Sequence, residues 1–138
     1  MTTTLHLLCA GAAQGLVITL QPRLLQELTA QTAGRFGAVG AMKEAFAAGE
    51  PCDLFVSSDA IVSALIAEGL LRADSRAPLG RVRTGVAVRT GTPHPTVSTP
   101  EALAAALHAA DAVHFPDPQR ATAGIHFAKV LRELGLDA

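Results

Sequence analysis

The sequence predicts an α/β fold with a mainly parallel sheet and flanking helices. Short apolar segments, typical of buried strands, alternate with longer segments that carry apolar residues at helical spacing. Turns rich in Gly, Ala and Ser separate these segments. Hydrophobic residues make up 49% of the 138 residues and charged residues 17%. This composition is typical of a globular domain with a hydrophobic core, so a disordered or fibrous chain is excluded.

The first part of the chain contains a predicted strand followed by two helices. Leu5–Cys9 is expected to be a buried strand, and the turn Ala10–Gly15 leads into an amphipathic helix. Pro22 lies inside that helix and predicts a kink or a break. The apolar face of this helix consists of Leu16, Leu20, Leu24 and Leu28. The next helix carries Val39, Met42, Ala45 and Phe46 on one face.

A strand at Asp53–Val56 and a helix at Asp59–Glu68 follow, with Ser57 or Ser58 as the N-cap. The remainder is expected to form a strand at Val82–Val88 and a helix from Pro100 to about Ala110. A strand at Ala112–Phe115 and a last helix are expected to follow. The apolar face of this last helix consists of Ile125, Ala128, Leu131 and Leu134. The loop Asp74–Gly80 is the expected boundary between two parts, residues 1–79 and 80–138.

Charge and composition exclude several classes of partner. The net charge is −1 and the Lys and Arg residues are scattered, so we expect no nucleic-acid partner. No apolar run is long enough to span a bilayer, so no membrane insertion is expected. Residues 1–10 lack the pattern of a signal peptide, which places the chain as written in the cytoplasm, and in the periplasm if a leader was removed. The classes of partner that these observations do not exclude are a small ligand and another protein.

Motifs for catalysis or metal binding are absent from the sequence. The five histidines show no ligand spacing, so neither a metal site nor a cofactor is predicted. Cys9 and Cys52 match no metal or redox pattern and are expected to be buried free thiols. The chain has no phosphate-binding P-loop, dinucleotide fingerprint or nucleophile elbow. We therefore expect a protein that is not an enzyme.

Four small-residue turns share one design, in which a helix begins with exposed backbone amides. They are Ala10–Gly15, Gly37–Gly40, Ser57–Asp59 and Arg120–Gly124. Helix N-termini at the carboxyl ends of parallel strands bind anions through free N–H groups and the helix dipole. Small residues also allow helices to pack closely against strands. Spacing alone leaves both interpretations open.

The segment FGAVGAMKEAFAAGEPCDLFVSSD, residues 36–59, resembles the molybdate-binding-like and related extracellular solute-binding proteins of ABC transporters. In that family a turn opens a helix that ends in a similar Gly-x-Pro-x-Asp pattern before a short strand. The segments around LHLLCAGAAQGL and FPDPQRATAGIHFAKVLRELGL are also similar to the family, so the resemblance covers nearly the whole chain.

The resemblance implies a type II periplasmic-binding fold, in which two α/β lobes close on a ligand. Residues 1–79 would be the first lobe and residues 80–138 an incomplete second lobe. The implied function is non-catalytic binding of a small molecule, for example an oxyanion or a small organic anion. The alternative is a cytoplasmic sensor or protein-interaction module that reuses the fold without transport. The residues expected at the ligand are Ala12, Ala13, Val39, Gly40 and Ser58 in the first lobe, and Thr122, Ala123 and Gly124 in the second.

Three departures from the family change what the resemblance implies. Ala13 and Val39 stand where molybdate binders have serines, so only backbone amides are left as donors. The second strand is expected to be missing or reduced to about Arg35–Gly37. The chain stops early in the second lobe, which predicts a natural truncation or a fragment. Such a truncation would expose a sheet edge, so we expect a homodimer, with a membrane permease as partner if the protein serves transport.

Overall fold

The computed structural model of the protein describes residues 2–136. Met1, Asp137 and Ala138, which the two predicted lobes include, lie outside the described residues. The chain divides between Gly80 and Arg81 into two compact units, here called unit 1 (up to Gly80) and unit 2 (from Arg81).

Unit 1 is built on a three-stranded parallel sheet. Its strands are β1 (Thr3–Ala10), β2 (Ala30–Gly37) and β3 (Leu54–Val56), in the order β2-β1-β3. The central strand β1 supplies the most buried residues of the sheet, from Leu7 to Ala10. Strands that alternate with helices form parallel sheets, and the predicted α/β class is confirmed, as part of a periplasmic-binding-like fold.

The expectation of a missing or very short second strand is wrong. Strand β2 has eight residues and pairs with β1 along its whole length, from Thr3↔Ala30 to Ala10↔Gly37. Its sequence, AQTAGRFG, lacks the run of β-branched residues that identifies a strand. Strand β2 is therefore stabilised by its hydrogen bonds to β1 and not by a high strand propensity of its own residues. Thr29 adopts a left-handed conformation (φ 50°), which lets the chain turn into β2 within a single residue.

Three α-helices accompany this sheet in the described part of unit 1. They are α1 (Gln14–Leu28), α2 (Val39–Ala47) and α3 (Asp59–Ala67), which confirms the predicted helical segments. Helix α2 packs its apolar face on the sheet, where Met42 and Ala45 form the hydrophobic core with Leu8. The rings of Phe46 and Phe55 lie 5.1 Å apart at the edge of this core. The spacing that predicted α2 therefore also predicted the face that it buries.

Helix α1 continues through Pro22, so the chain is not broken into two helices at this proline. Proline has no N–H and removes one bond of the helical ladder. Thr19 Oγ1 donates to the Gly15 carbonyl (2.8 Å), one turn before Pro22. The side chain of Gln21 joins the helix to β2, because its amide oxygen accepts from Thr32 N (3.3 Å) and its nitrogen bonds to Thr32 Oγ1. Leu16, Ile18, Leu25 and Leu28 of α1 are exposed.

Unit 2 contains helices α4 (Pro100–His108) and α5 (Thr122–Glu133). Helix α4 begins as predicted, because Thr99 Oγ1 accepts from Ala102 N (3.2 Å) and Pro100 occupies the first turn. Helix α5 carries Phe127, whose ring lies edge-on to that of Phe115 with 5.0 Å between centroids.

The strands predicted at Val82–Val88 and Ala112–Phe115 are not formed, and this part of the prediction is wrong. Neither segment contains a strand in the described part of unit 2. A strand requires a neighbour for its backbone N–H and C=O groups, and alternating sequence alone does not supply one. Val82 (77% exposed) and Val86 (50%) accordingly lie at the surface instead of in a sheet.

Candidate functional site

The carboxyl ends of the three strands lie side by side in unit 1. Ala10, the last residue of β1, pairs with Gly37 of β2, and Cys9 pairs with Val56 of β3. The turns that follow the strands therefore leave the sheet from one edge, here called the carboxyl edge. Ligands of open α/β sheets bind at this edge.

The turn after β1 contains Ala12 and Ala13. With Gly11 they form a single 3₁₀ turn that leads directly into α1. Ala13 occupies the N-cap position of α1, where an alanine side chain cannot accept a hydrogen bond. The first amides of α1 consequently have no side-chain cap. Ala12 is exposed and Ala13 is half-buried.

The turn after β2 contains Val39 and Gly40, the first two residues of α2. Their N-cap is Ala38, again without a capping side chain, and the first ladder bond runs from Met42 N to the Ala38 carbonyl (3.0 Å). The amides that precede Met42 in α2 have no partner within the helix. They are donors at a helix N-terminus, which also carries a partial positive charge from the helix dipole.

Gly11 and Gly37 allow the first two turns to approach each other. A Cβ atom at Gly11 would lie 3.6 Å from the Gly37 carbonyl oxygen, and one at Gly37 would lie 3.1 Å from Met42 Cε. The backbone of the α1 turn therefore lies close to the Gly37 carbonyl at the end of β2, and the Met42 side chain packs against Gly37. This arrangement brings the backbone of the α1 turn close to that of the α2 turn.

The turn after β3 contains Ser57 and Ser58. Ser58 is the N-cap of α3, as predicted, but its side chain makes no capping hydrogen bond. Ser57 Oγ is buried and has no hydrogen-bond partner among the described residues. Sequence reasoning treated both serines as caps and left Ser57 out of the site. A DLFVSS segment identifies the position of Ser57 but not the burial of its hydroxyl, so no signal in the sequence selects it.

Charges at the carboxyl edge are few. Asp59, in the first turn of α3, forms an ion pair with Arg76. The remaining turn residues, Gly11–Ala13, Ala38–Gly40 and Ser57–Ser58, carry no ionisable side chain. Cys9 lies under the edge, and burial raises the pKa of its thiol, so at neutral pH it is a thiol and not a thiolate nucleophile. The edge offers neutral hydrogen-bond donors rather than charged side chains.

In unit 2, Thr122 and Ala123 begin helix α5 and are exposed. Gly124 is buried against the backbone of Pro116 and Asp117. A Cβ atom at this position would lie 2.2 Å from each of their carbonyl oxygens. Close packing within unit 2 thus requires glycine at this position. Close packing, rather than anion binding, therefore explains the glycine of the small-residue turn Arg120–Gly124.

The thiols differ from the prediction in one respect. Cys9 is buried and free as expected, whereas Cys52 is free but only partly buried, beside the core formed by Leu8 and Met42. Across residues 2–136, no group of three or more His, Cys, Asp or Glu side chains is arranged to hold a metal ion. None of the helices described is long and apolar enough to cross a membrane.

A curated relative changes the expectation about catalysis. Aconitate isomerase from Pseudomonas sp is 28% identical to this chain over 134 residues, which are 94% of this chain and 50% of the relative. The chain thus spans about half the length of that protein. The relative is an enzyme, and the expectation that the protein is not an enzyme is wrong as drawn. Catalytic groups are recognised by their geometry, so the absence of a known motif did not justify that expectation.

The sequence of residues 5–138, nearly the whole chain, matches the family model of the bacterial extracellular solute-binding proteins. This match includes all three strands of the sheet except the first residues of β1, and both helices of unit 2. The sequence resemblance over nearly the whole chain predicted the extracellular solute-binding proteins, and this is confirmed, whereas its molybdate-binding-like part stays a prediction. The chain belongs to the bacterial extracellular solute-binding protein family.

Proposed function

We propose that the carboxyl edge of unit 1 binds a small organic anion. The observation that supports this proposal is the register of the sheet, which aligns the ends of β1, β2 and β3. Each end leads into a helix whose N-cap side chain makes no hydrogen bond, at Ala13, Ala38 and Ser58. Unused helical N–H donors at the starts of α2 and α3, beside the turn before α1 in which Gln14 N already donates to the Gly11 carbonyl, favour an acceptor with several oxygens.

The proposed ligand is held mainly by backbone donors. The amides assigned to it are those of Ala12, Ala13, Val39, Gly40 and Ser58. A hydrogen bond to a charged group contributes about 1.5–3 kcal/mol, so the loss of a single donor is measurable as a weaker affinity. Neutral donors stabilise a carboxylate without an arginine or lysine at the ligand. A contribution from Thr122, Ala123 and Gly124 of unit 2, and the division into lobes 1–79 and 80–138, stay predictions.

Aconitate is the first candidate ligand, because it is named in the activity of the relative. It is a small tricarboxylate, and its several carboxylate oxygens match the several donors of the edge. Ala13 and Val39 carry no hydroxyl group, which makes the edge less suited to molybdate, for which the resemblance implied serine donors.

A thermal-shift experiment on the purified chain tests the proposal. The ligands are trans-aconitate, cis-aconitate, molybdate and sulfate, with the uncharged trimethyl ester of aconitate as control. A ligand at about 100 times its Kd adds about 2.7 kcal/mol of stability, which raises Tm by several degrees. We expect aconitate to raise Tm and its ester to leave Tm unchanged. If none of the anions raises Tm, the proposal is wrong.

A matched pair of variants at Val39 locates the effect. Val39→Asp puts a carboxylate at the first turn of α2, where it occupies the free amides and repels an anion. Val39→Asn is nearly isosteric with the aspartate and uncharged. The shift produced by aconitate is expected to disappear in V39D and to persist in V39N. Equal shifts in the two variants would place the ligand away from α2.

Isomerisation of aconitate is a second candidate function, favoured by the curated relative. The measurement is proton NMR of cis-aconitate incubated with the protein, with heat-denatured protein as control. The second function predicts that the trans isomer forms faster with native protein than with the control. Equal rates would reject this function for the chain and leave the binding proposal standing.

A further inference from the structure

Ser57 carries a hydroxyl group that the fold itself does not use. Its Oγ is buried and has no hydrogen-bond partner among residues 2–136. Almost all buried polar atoms in proteins are paired, because an unpaired buried group costs about 1–3 kcal/mol. An exception in a native structure indicates strain, a bound water or ion that completes the pair, or a function at that position.

The position of Ser57 is at the carboxyl edge. Val56, the last residue of β3, pairs with Cys9, so Ser57 leaves the sheet beside the end of β1 at Ala10. Ala10 leads directly into the turn Gly11–Ala13, whose amides are assigned to the ligand. Ser57 therefore follows β3 at the same edge of the sheet from which that turn follows β1. It is a neutral group that can donate to a carboxylate or accept from a protonated acid.

We propose that Ser57 is a specificity-determining residue, whose hydroxyl donates a hydrogen bond to a carboxylate of the bound organic anion. This inference rests on the proposed function. A hydroxyl that is unpaired in the ligand-free protein gains a full hydrogen bond on binding, whereas a hydroxyl already paired would have to exchange one bond for another. Ser58, its neighbour, contributes its backbone amide rather than its side chain.

The test compares Ser57→Ala with Ser63→Ala, a serine of α3 outside the proposed site, as the matched control. Removal of a hydroxyl that the fold does not use leaves Tm without ligand unchanged or slightly raised. Binding of trans-aconitate, measured by calorimetry, is expected to weaken about tenfold or more in S57A, as for loss of a charged hydrogen bond. S63A is expected to bind as the wild type does, and Ser57→Thr, which keeps a hydroxyl, is expected to retain most of the affinity.

Each other outcome overturns the inference. A large fall in the ligand-free Tm of S57A, or failure of S57A to fold, would show that the hydroxyl serves the fold. Equal affinity of S57A and wild type would remove Ser57 from the site while upholding the proposed function. No binding of any carboxylate to the wild-type chain would reject the proposed function together with the inference.

Discussion

At the scale of single residues, Asp53 joins the beginning of β3 to β1. Its carboxylate oxygen Oδ2 accepts from His6 N (2.8 Å) and lies 3.0 Å from His6 Nδ1, while Asp53 N donates to the His6 carbonyl (2.8 Å). The hydrogen bond from the His6 amide, followed by that from its ring, lowers the pKa of Asp53 below its ordinary value of 3.8. Both side chains are about half exposed.

This contact predicts a loss of stability in acid. A carboxylate whose pKa is lower in the folded state stabilises the fold above its unfolded pKa, and the contribution is lost as pH falls through the folded pKa. Wild type is therefore expected to be more stable than Asp53→Asn near pH 7, and the difference is expected to shrink below about pH 4. Urea unfolding at both pH values measures it, with Asp111→Asn as a surface control. A difference that does not change with pH would contradict the role of Asp53.

At the scale of elements, the pairing of β1 and β2 depends on Gly34. A Cβ atom at this position would lie 1.9 Å from the Leu7 carbonyl oxygen, and the atom it would meet is backbone. Leu7 is also the residue that pairs with Gly34 in the register of the two strands. A side chain at position 34 must therefore push the strands apart.

Gly34→Ala is expected to destabilise unit 1 strongly, by about 1–3 kcal/mol or more, as for other overpacked positions. Gly15→Ala is the matched control, because Gly15 lies in α1 with nothing within 4 Å of its added Cβ. Alanine is the better helix former, so G15A is expected to be neutral or more stable by up to about 1 kcal/mol. Chemical denaturation of the two variants checks this, and a G34A protein as stable as G15A would contradict the close packing of β1 and β2.

The elements that the sequence predicted well are those with local signals. Helix α4 has a capping threonine and a proline at its start, and α2 has an apolar face of helical spacing, so each is recognisable without its neighbours. Strand β2 and the missing strands at Val82–Val88 and Ala112–Phe115 depend on pairing with a distant segment. The residues of a segment do not specify which distant segment it pairs with, and the secondary structure of these three segments was predicted wrongly.

The candidate site shows the same division. Ala12, Val39 and Ser58 were predicted from turns that open helices, and each of these turns does follow a strand of the sheet. Ser57 was missed because its distinguishing feature, a buried hydroxyl without a partner, exists only in the folded chain. The close packing of Gly124 against Asp117 is likewise a tertiary property.

At the scale of the whole molecule, large apolar side chains are exposed in both units. They include Leu25 and Leu28 of α1 in unit 1, and Val82 and Ile125 in unit 2. Exposed apolar residues indicate a partner where they are neighbours on the surface, as Leu25 and Leu28 are at a spacing of three on α1. The homodimer expected from the sequence stays a prediction, and this exposure is an observation in its favour.

Light scattering coupled to size exclusion tests the homodimer. The expected mass at micromolar concentration is twice the chain mass of 14.2 kDa. Leu28→Glu, at a side chain that is 64% exposed on α1, is expected to reduce the dimer without unfolding the chain. Thr2→Glu, another exposed position, is the control. A monodisperse wild-type monomer would contradict the prediction.

The central claim is that backbone amides at the carboxyl edge of unit 1 bind a small organic anion. The measurement that tests it most directly is a titration of the ¹⁵N-labelled chain with trans-aconitate, followed by amide chemical shifts. We expect saturable shifts that are largest at the proposed site amides, namely Ala12, Ala13, Val39, Gly40 and Ser58, with small shifts at the opposite ends of the strands, near Thr3 and Ala30. Spectra that do not change, or shifts confined to residues away from the carboxyl edge, would contradict it.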